Sequence, residues 1–317
     1  MKPLPIRFWT WMLERYPPFL LIVHSMVYYA SIWVTSIIAD GTRPFLLSRD
    51  LLGCLSLFLF PMVLRIMDEH KDYDQDLRLY PDRPVQRGLI SLSELRGIAY
   101  FAVAVQLGFC LWADRGVGDC TALWIMTMLY ALLMGKEFFC GEWLEKRMIV
   151  YALSHQAITP ISMIWVAAAY SAQHPLPDEV WGLAIIGLFG SFTYELSRKL
   201  KAPTDEKPEI ASYTQSLGAT TAPLLTAFLL IGQSAFLVWW LSPFSRTIVK
   251  GVDQITNTLA PDGTALVIHV AVTGLCALPF FLFVRSPSTK GAKMLEGMSA
   301  LMTLWTYGLL LYLCWTF

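Results

Sequence analysis

Charge is scarce in this sequence. Only 15% of its 317 residues are Asp, Glu, Lys or Arg, against 56% hydrophobic residues, and the mean hydropathy is +0.51. Such a chain cannot cover a soluble domain of its length with polar surface. The 24 basic and 24 acidic residues cancel, so no net positive field points toward nucleic acid. The six cysteines, Cys54, Cys110, Cys120, Cys140, Cys276 and Cys314, are scattered through mostly apolar stretches without a CxxC pair, and read as small packing residues. Zinc-type ligand spacings are absent, and so are Gly-rich phosphate loops of the P-loop or dinucleotide kind.

Long apolar runs are abundant instead. Nine can be read as helices able to cross about 30 Å of hydrocarbon, at about 17–38, 50–67, 92–113, 120–135, 148–170, 180–196, 214–241, 264–284 and 297–316. The expectation is an all-α, polytopic membrane protein with one domain over 1–317. The first run starts after Arg15 with no small-residue cleavage site, so it reads as a retained anchor. Of the 24 Lys and Arg, 19 fall in the N-terminal tail and around 65–96, 136–147, 198–207 and 285–293. That asymmetry predicts that the N-terminus and these loops are cytoplasmic and that the C-terminal Phe317 is outside. Ser242 to Pro261 reads as a long polar loop on the outer side.

The scarce charge is concentrated in two islands. In the first, Asp68 to Ser91, the carboxylates of Asp68, Asp72 and Asp76 recur every four residues, which stacks them on one helix face. Glu69 sits beside them, and the helix is predicted to end near Leu79, ahead of Arg83, Pro84 and a turn at Gly88. Like charges at i,i+4 destabilise a helix. A bound cation would compensate them, and carboxylates with open coordination positions suit Mg²⁺. A solvated loop whose acids repel into water is the bland alternative. The second island, Tyr194 to Gly218, holds Glu195 and Lys199 in the favourable i,i+4 order, with Arg198 beside them and Asp205 and Glu206 after Pro203. An acidic lobe and a lobe basic at its core would suit a metal and bare phosphate oxygens.

Lesser signals lie between and beyond the islands. Lys146 and Arg147 close a short amphipathic connection, where membrane anchoring explains them as well as a binding role does. His155, Gln156 and Thr159 precede Pro160, predicting a polar patch and a kink. His24 is an intramembrane histidine that a neighbouring helix would satisfy equally well. Gln233, Trp239, Trp240, His269, Trp305 and Tyr307 read mostly as interface anchors or core.

The first island resembles the opening motif of the UbiA superfamily of intramembrane prenyltransferases, N-D-x-x-D-x-x-x-D followed by R-P and a small turn. Asp68 and Glu69 stand where the family has Asn and Asp, Asp72 and Asp76 match, and so do Arg83, Pro84 and Gly88. Lys146-Arg147 is similar to the family's K-R. The second motif, E-I-x-K-D-I-x-D, is changed here to Glu195-Leu196-Ser197-Arg198-Lys199-Leu200-Lys201-Ala202. Lys199 and Ala202 thus replace two metal-binding aspartates, which leaves a second Mg²⁺ in doubt, although Asp205 or Glu206 could stand in for a later acid.

The resemblance implies a nine-helix UbiA-like bundle with a cytoplasmic cap. It implies an enzyme that ionises an isoprenyl diphosphate, with catalytic Asp68, Asp72, Asp76 and Glu195. Mg²⁺ would be held among Asp68, Glu69, Asp72 and Asp76, and the diphosphate by Arg83, Lys146, Arg147, Arg198 and Lys199. Candidate aromatic faces for the allylic cation include Tyr28, Tyr29, Trp143, Tyr151, Trp165 and Tyr194. Transfer to an aromatic or other small acceptor is the first expectation, and cyclisation of the substrate by a UbiA-type terpene cyclase the second. A transporter or lipid-binding protein would carry its charges nearer the bilayer middle.

Overall fold

The computed structural model describes residues 2–39, 48–170, 176–207, 211–252 and 263–315. Among them are fourteen α-helices: α1 Leu4–Arg15, α2 Pro18–Ala39, α3 Ser48–Lys71, α4 Tyr73–Leu79, α5 Leu92–Ala113, α6 Asp119–Gly135, α7 Gly141–Glu145, α8 Met148–Gln156, α9 Ile158–Ala167, α10 Asp178–Arg198, α11 Tyr213–Leu217, α12 Thr221–Val252, α13 Gly263–Arg285 and α14 Thr289–Trp315. The all-α expectation holds, and the protein is an integral membrane protein by its apolar helices. Among the described residues, eight segments are long and apolar enough to cross a membrane, with α8 and α9 counting as one; the ninth expected span, α6, is apolar but only 17 residues long.

The chain forms two compact units. The first comprises Met1–Ala30, Phe45–Phe139 and Trp165–Tyr170; the second comprises Ser31–Pro44, Cys140–Ile164 and Ser171–Phe317.

In the first unit, α3 and α5 pack along each other and α1 lies against them. Trp11 and Met12 of α1 and Tyr16 join Leu59, Met62, Val63 and Ile66 of α3 and Leu95 and Ala102 of α5 in one apolar cluster. Helix α1 was expected only as a basic tail. Pro5 in its first turn pre-sets the backbone, and Tyr16, before two prolines, ends it. Helix α5 starts on a capping box in which the Ser91 side chain accepts from the Glu94 backbone amide while Glu94 accepts from that of Ser91. Gly88 occupies the turn before it with φ +73°, a conformation glycine adopts without strain. The start of α6 is held from outside: Asp114 accepts from the backbone amides of Gly118, Cys120 and Thr121 and from the Thr121 hydroxyl.

In the second unit, α10 is the central element. Its small residues let neighbours approach, with Gly182 under the indole of Trp240 and Gly187 beside Met163 and Tyr307. Phe192 and Leu196 of α10 pack with Tyr213, Leu230, Phe280, Phe283, Leu295 and Met302. Residues 242–252, expected in an outer polar loop, continue α12 as helix, because scattered charges do not remove backbone hydrogen bonds. The rest of that expected loop, through Pro261, lies outside the described residues, as does Phe317.

Candidate active site

The acidic ladder forms at the end of α3, where its helix carries on past the apolar span into α4. Backbone bonds from Asp72 to Asp68 and from Asp76 to Asp72 keep the helical repeat, so the three carboxylates keep their spacing. At Asp72 itself the backbone departs from helical values (φ −94°, ψ 9°), and α3 and α4 are separate helices meeting there. The expected end at Leu79 is observed.

The four acids are not equivalent. Glu69 is fully buried, and its Oε1 accepts from Arg15 at 2.7 Å and from Arg65 at 3.0 Å. Asp76, with its side chain 9% exposed, is gripped by Arg83 at 2.5 Å and approached by Arg15 at 3.5 Å. By contrast, the side chains of Asp68 and Asp72 are 46% and 42% exposed, and their ion contacts, with Arg65 and Lys71, are at 3.8 and 4.0 Å. The protein's own arginines therefore neutralise half the ladder, a compensation that the sequence reading assigned to a bound cation. Among the described residues, no three His, Cys, Asp or Glu side chains converge to hold a metal unaided. The four acids proposed as metal ligands are thus neighbours in space without forming one ligand set.

Asp72 carries the electrostatic signature of the site. Burial pushes its carboxyl above the usual range; the charges of Asp76, Glu137 and Glu69 push the same way, against Lys71 beside it. Lys71 is itself drawn to Glu137 at 2.6 Å. Glu137, Phe138 and Phe139 all have left-handed backbones (φ 49°, 51° and 58°), a strained turn of non-glycine residues held beside the ladder. Glu69 Oε2 is buried without a hydrogen-bond partner, which leaves one acceptor in the ladder unused.

Of the basic residues in the first unit, Arg83 lies over the Tyr80 ring at 3.7 Å while it pairs with Asp76. Arg15 and Arg65 were not expected as site residues. Arg65 was legible as an i,i+4 partner of Glu69. Arg15, 54 positions away, had no local signal.

In the second unit, Glu195 is buried at the end of α10 and pairs with both Arg198 and Lys199, the latter at 2.9 Å. Lys199 also lies 5.8 Å from the Tyr151 ring and 6.0 Å from the Tyr213 ring. Tyr213, absent from the sequence expectations, is fully buried with an unpartnered hydroxyl. Burial, then the Glu195 charge, raises its pKa. Ala202, in the place of a family aspartate, is buried. Glu206 accepts from the hydroxyls of Ser212 and Thr214, and Asp205 accepts from Thr289 at 3.0 Å, so both acids already have protein donors. Lys146 and Arg147 are exposed, with Arg147 over Trp143 at 4.3 Å. The helix is interrupted at Ala157, three residues before Pro160, where α8 gives way to α9.

No protein-family profile matches the sequence, and no curated protein matches it significantly. Solved structures do match. A structure concerned with the biosynthesis of digeranylgeranylglyceryl phosphate synthase in membranes aligns over 96% of this chain and 100% of its own, with a TM-score of 0.58 and 14% identity. The apo structure of a UbiA homolog from Aeropyrum pernix K1 aligns over 89% of this chain and 96% of its own, with a TM-score of 0.61 and 14% identity. At that identity the likeness establishes the fold, and this chain has the all-helical membrane fold of the UbiA homologs.

Proposed function

We propose that the protein is a UbiA-type intramembrane prenyltransferase that ionises an isoprenyl diphosphate and passes the prenyl group to a small acceptor. The carrying observation is the division of labour in the ladder. Arginines neutralise Glu69 and Asp76, while the side chains of Asp68 and Asp72 stay 46% and 42% exposed. Two half-exposed carboxylates fit Mg²⁺, which keeps several waters and takes further oxygens from substrate phosphates. Asp68 and Asp72 would hold the ion, which supplies positive charge at the leaving diphosphate when bound. Together with a segment that resembles the family's first motif at Asp72, Asp76, Arg83, Pro84 and Gly88, and with the UbiA-type fold, this favours prenyl transfer over ion transport.

The remaining residues divide into binders and positioners. In the first unit Arg83 donates to diphosphate oxygens as negative charge grows there, and in the second unit Lys146, Arg147, Arg198 and Lys199 are the candidate phosphate donors. Glu195 holds Arg198 and Lys199 in place for that task. The bond between the prenyl C1 and the diphosphate oxygen breaks with its electron pair leaving on the diphosphate; the acceptor forms the new bond and gives up a proton. The basic-residue asymmetry supports a cytoplasmic N-terminus and ladder.

The test is incubation of purified protein with Mg²⁺ and geranyl, farnesyl or geranylgeranyl diphosphate, with and without an added lipid or aromatic extract. Diphosphate release that needs the extract, together with a prenylated product by mass spectrometry, supports transfer. A cyclic product without any extract would replace transfer by cyclisation, and no Mg²⁺-dependent release in either condition would refute the reading.

A further inference from the structure

Glutamine inside an apolar helix is costly unless its amide is bonded. Gln233 lies in the interior of the span Thr221–Leu241 and is 1% exposed, yet its Nε2 has no hydrogen-bond partner. The hydroxyls of Thr193 on α10, 3% exposed, and Ser299 on α14, 2% exposed, share this condition. Buried polar atoms are satisfied in the great majority of cases, so these three orphans on α10, α12 and α14 call for an explanation.

Their positions on the helices place them along one line of contact. A side-chain carbon built on Gly190 of α10 would lie 3.3 Å from Gln233 Nε2 and 3.5 Å from Thr303 Oγ1, so the absent side chain lets the Gln233 amide of α12 and Thr303 of α14 close onto the α10 backbone. Helix α14 runs antiparallel to α10, with Tyr194 bonded to Glu296 and Gly190 beside Thr303. That register sets Thr193 opposite Ser299. Thr193 follows Gly190 by three residues and Ser299 precedes Thr303 by four, which in each case keeps the pair on one helix face. The amide of Gln233 and the two hydroxyls therefore occupy adjoining levels of one seam.

We propose that this seam is a binding site for a neutral oxygen within the membrane-spanning part of the second unit. The Gln233 amide donates to that oxygen, and the Thr193 and Ser299 hydroxyls can each donate or accept. No charged side chain belongs to the triad, so an anion is disfavoured and a hydroxyl, carbonyl or water is selected. Two sources share this chemistry: the oxygen of a lipid-soluble alcohol or carbonyl compound, and an ordered water. The triad shares no residue with those assigned to the diphosphate.

The experiment compares melting temperatures of detergent-purified wild type, Gln233→Met and Thr193→Val, each with and without farnesol. Both substitutions are close to isosteric, and Thr193→Val removes a hydroxyl that has no protein partner. If the site holds an oxygen, each variant melts lower by roughly 2–4 °C, the shift expected for one lost hydrogen bond. Farnesol raising the wild type while leaving the variants unmoved assigns a lipid-soluble oxygen; farnesol acting equally on all three, with the variants still less stable, assigns water. Variants that melt at or above the wild-type temperature overturn the proposal, because replacing an unbonded polar group by an apolar one is neutral or stabilising. Thr193→Val carries the decision if Gln233→Met does not fold.

Discussion

Replacing Arg15 by Met should weaken the protein far more than an ordinary surface change. The Arg15 side chain is 13% exposed and sits 2.7 Å from the fully buried Glu69 carboxylate and 3.5 Å from Asp76. Breaking a buried pair by removing one partner costs about 3–5 kcal/mol, because a charge is stranded. Here Arg65 stays at 3.0 Å from Glu69 and Arg83 at 2.5 Å from Asp76, so neither acid is left bare. The expected loss therefore falls at or just below the lower end of that range, about 2–3 kcal/mol, or roughly 4–12 °C in melting temperature at 2–4 °C per kcal/mol. Adding Glu69→Gln removes the carboxylate that Arg65 alone then compensates in part, and should recover most of the loss. Tryptophan fluorescence melts of wild type, both single variants and the double variant measure this. An Arg15→Met protein melting within 1 °C of wild type, or a double variant no better than Arg15→Met alone, would refute the reasoning.

Other outcomes follow from the same geometry. Asp72 binds its proton more tightly in the fold than in the unfolded chain, since its pKa is raised by burial and neighbouring carboxylates. Metal-free protein should therefore lose stability as pH rises from the ordinary carboxylate value through the raised one; denaturant melts in EDTA across pH 4–8 should show this slope, and Asp72→Asn should flatten it. Gly182→Ala would drive a methyl into the Trp240 indole and cost about 1–3 kcal/mol. Gly274→Ala, with no atom within 4 Å of the new carbon, should instead gain about 0.5–1 kcal/mol from helix propensity, and thermal melts of the two variants side by side check the contrast. Lys199→Gln should raise the KM for the prenyl diphosphate about tenfold while Lys201→Gln leaves it unchanged, read from steady-state kinetics.

The spans were legible because an apolar run has few alternatives to a helix. Helix α5 begins and ends where expected, 92 to 113, since Ser91 and Glu94 announce its start. The ladder and the end at Leu79 were legible for the same local reason. Helix α1 was missed because its polar residues, Arg7, Glu14 and Arg15 among them, hide a buried stripe of Trp11 and Met12. The longer course of α12 was missed because polarity after Leu241 was read as a loop. What sequence alone could not supply was the assignment of each charge. Arg15 reaches Glu69 across 54 positions, and Gln233 meets Gly190 only through packing of α12 on α10. Such pairings live in tertiary structure, and they separate the acids buried against arginines from those that stay half exposed.

The most direct test is Mg²⁺-dependent diphosphate release from a prenyl diphosphate by wild type, Asp72→Asn and Glu69→Gln, each with its melting temperature measured alongside. Asp72→Asn should lose roughly 100-fold or more in turnover while keeping the wild-type fold, and Glu69→Gln should show its main effect in stability. An Asp72→Asn protein that turns over at the wild-type rate, or a Glu69→Gln protein that is fully stable but inactive, would contradict the division of the ladder on which the account rests.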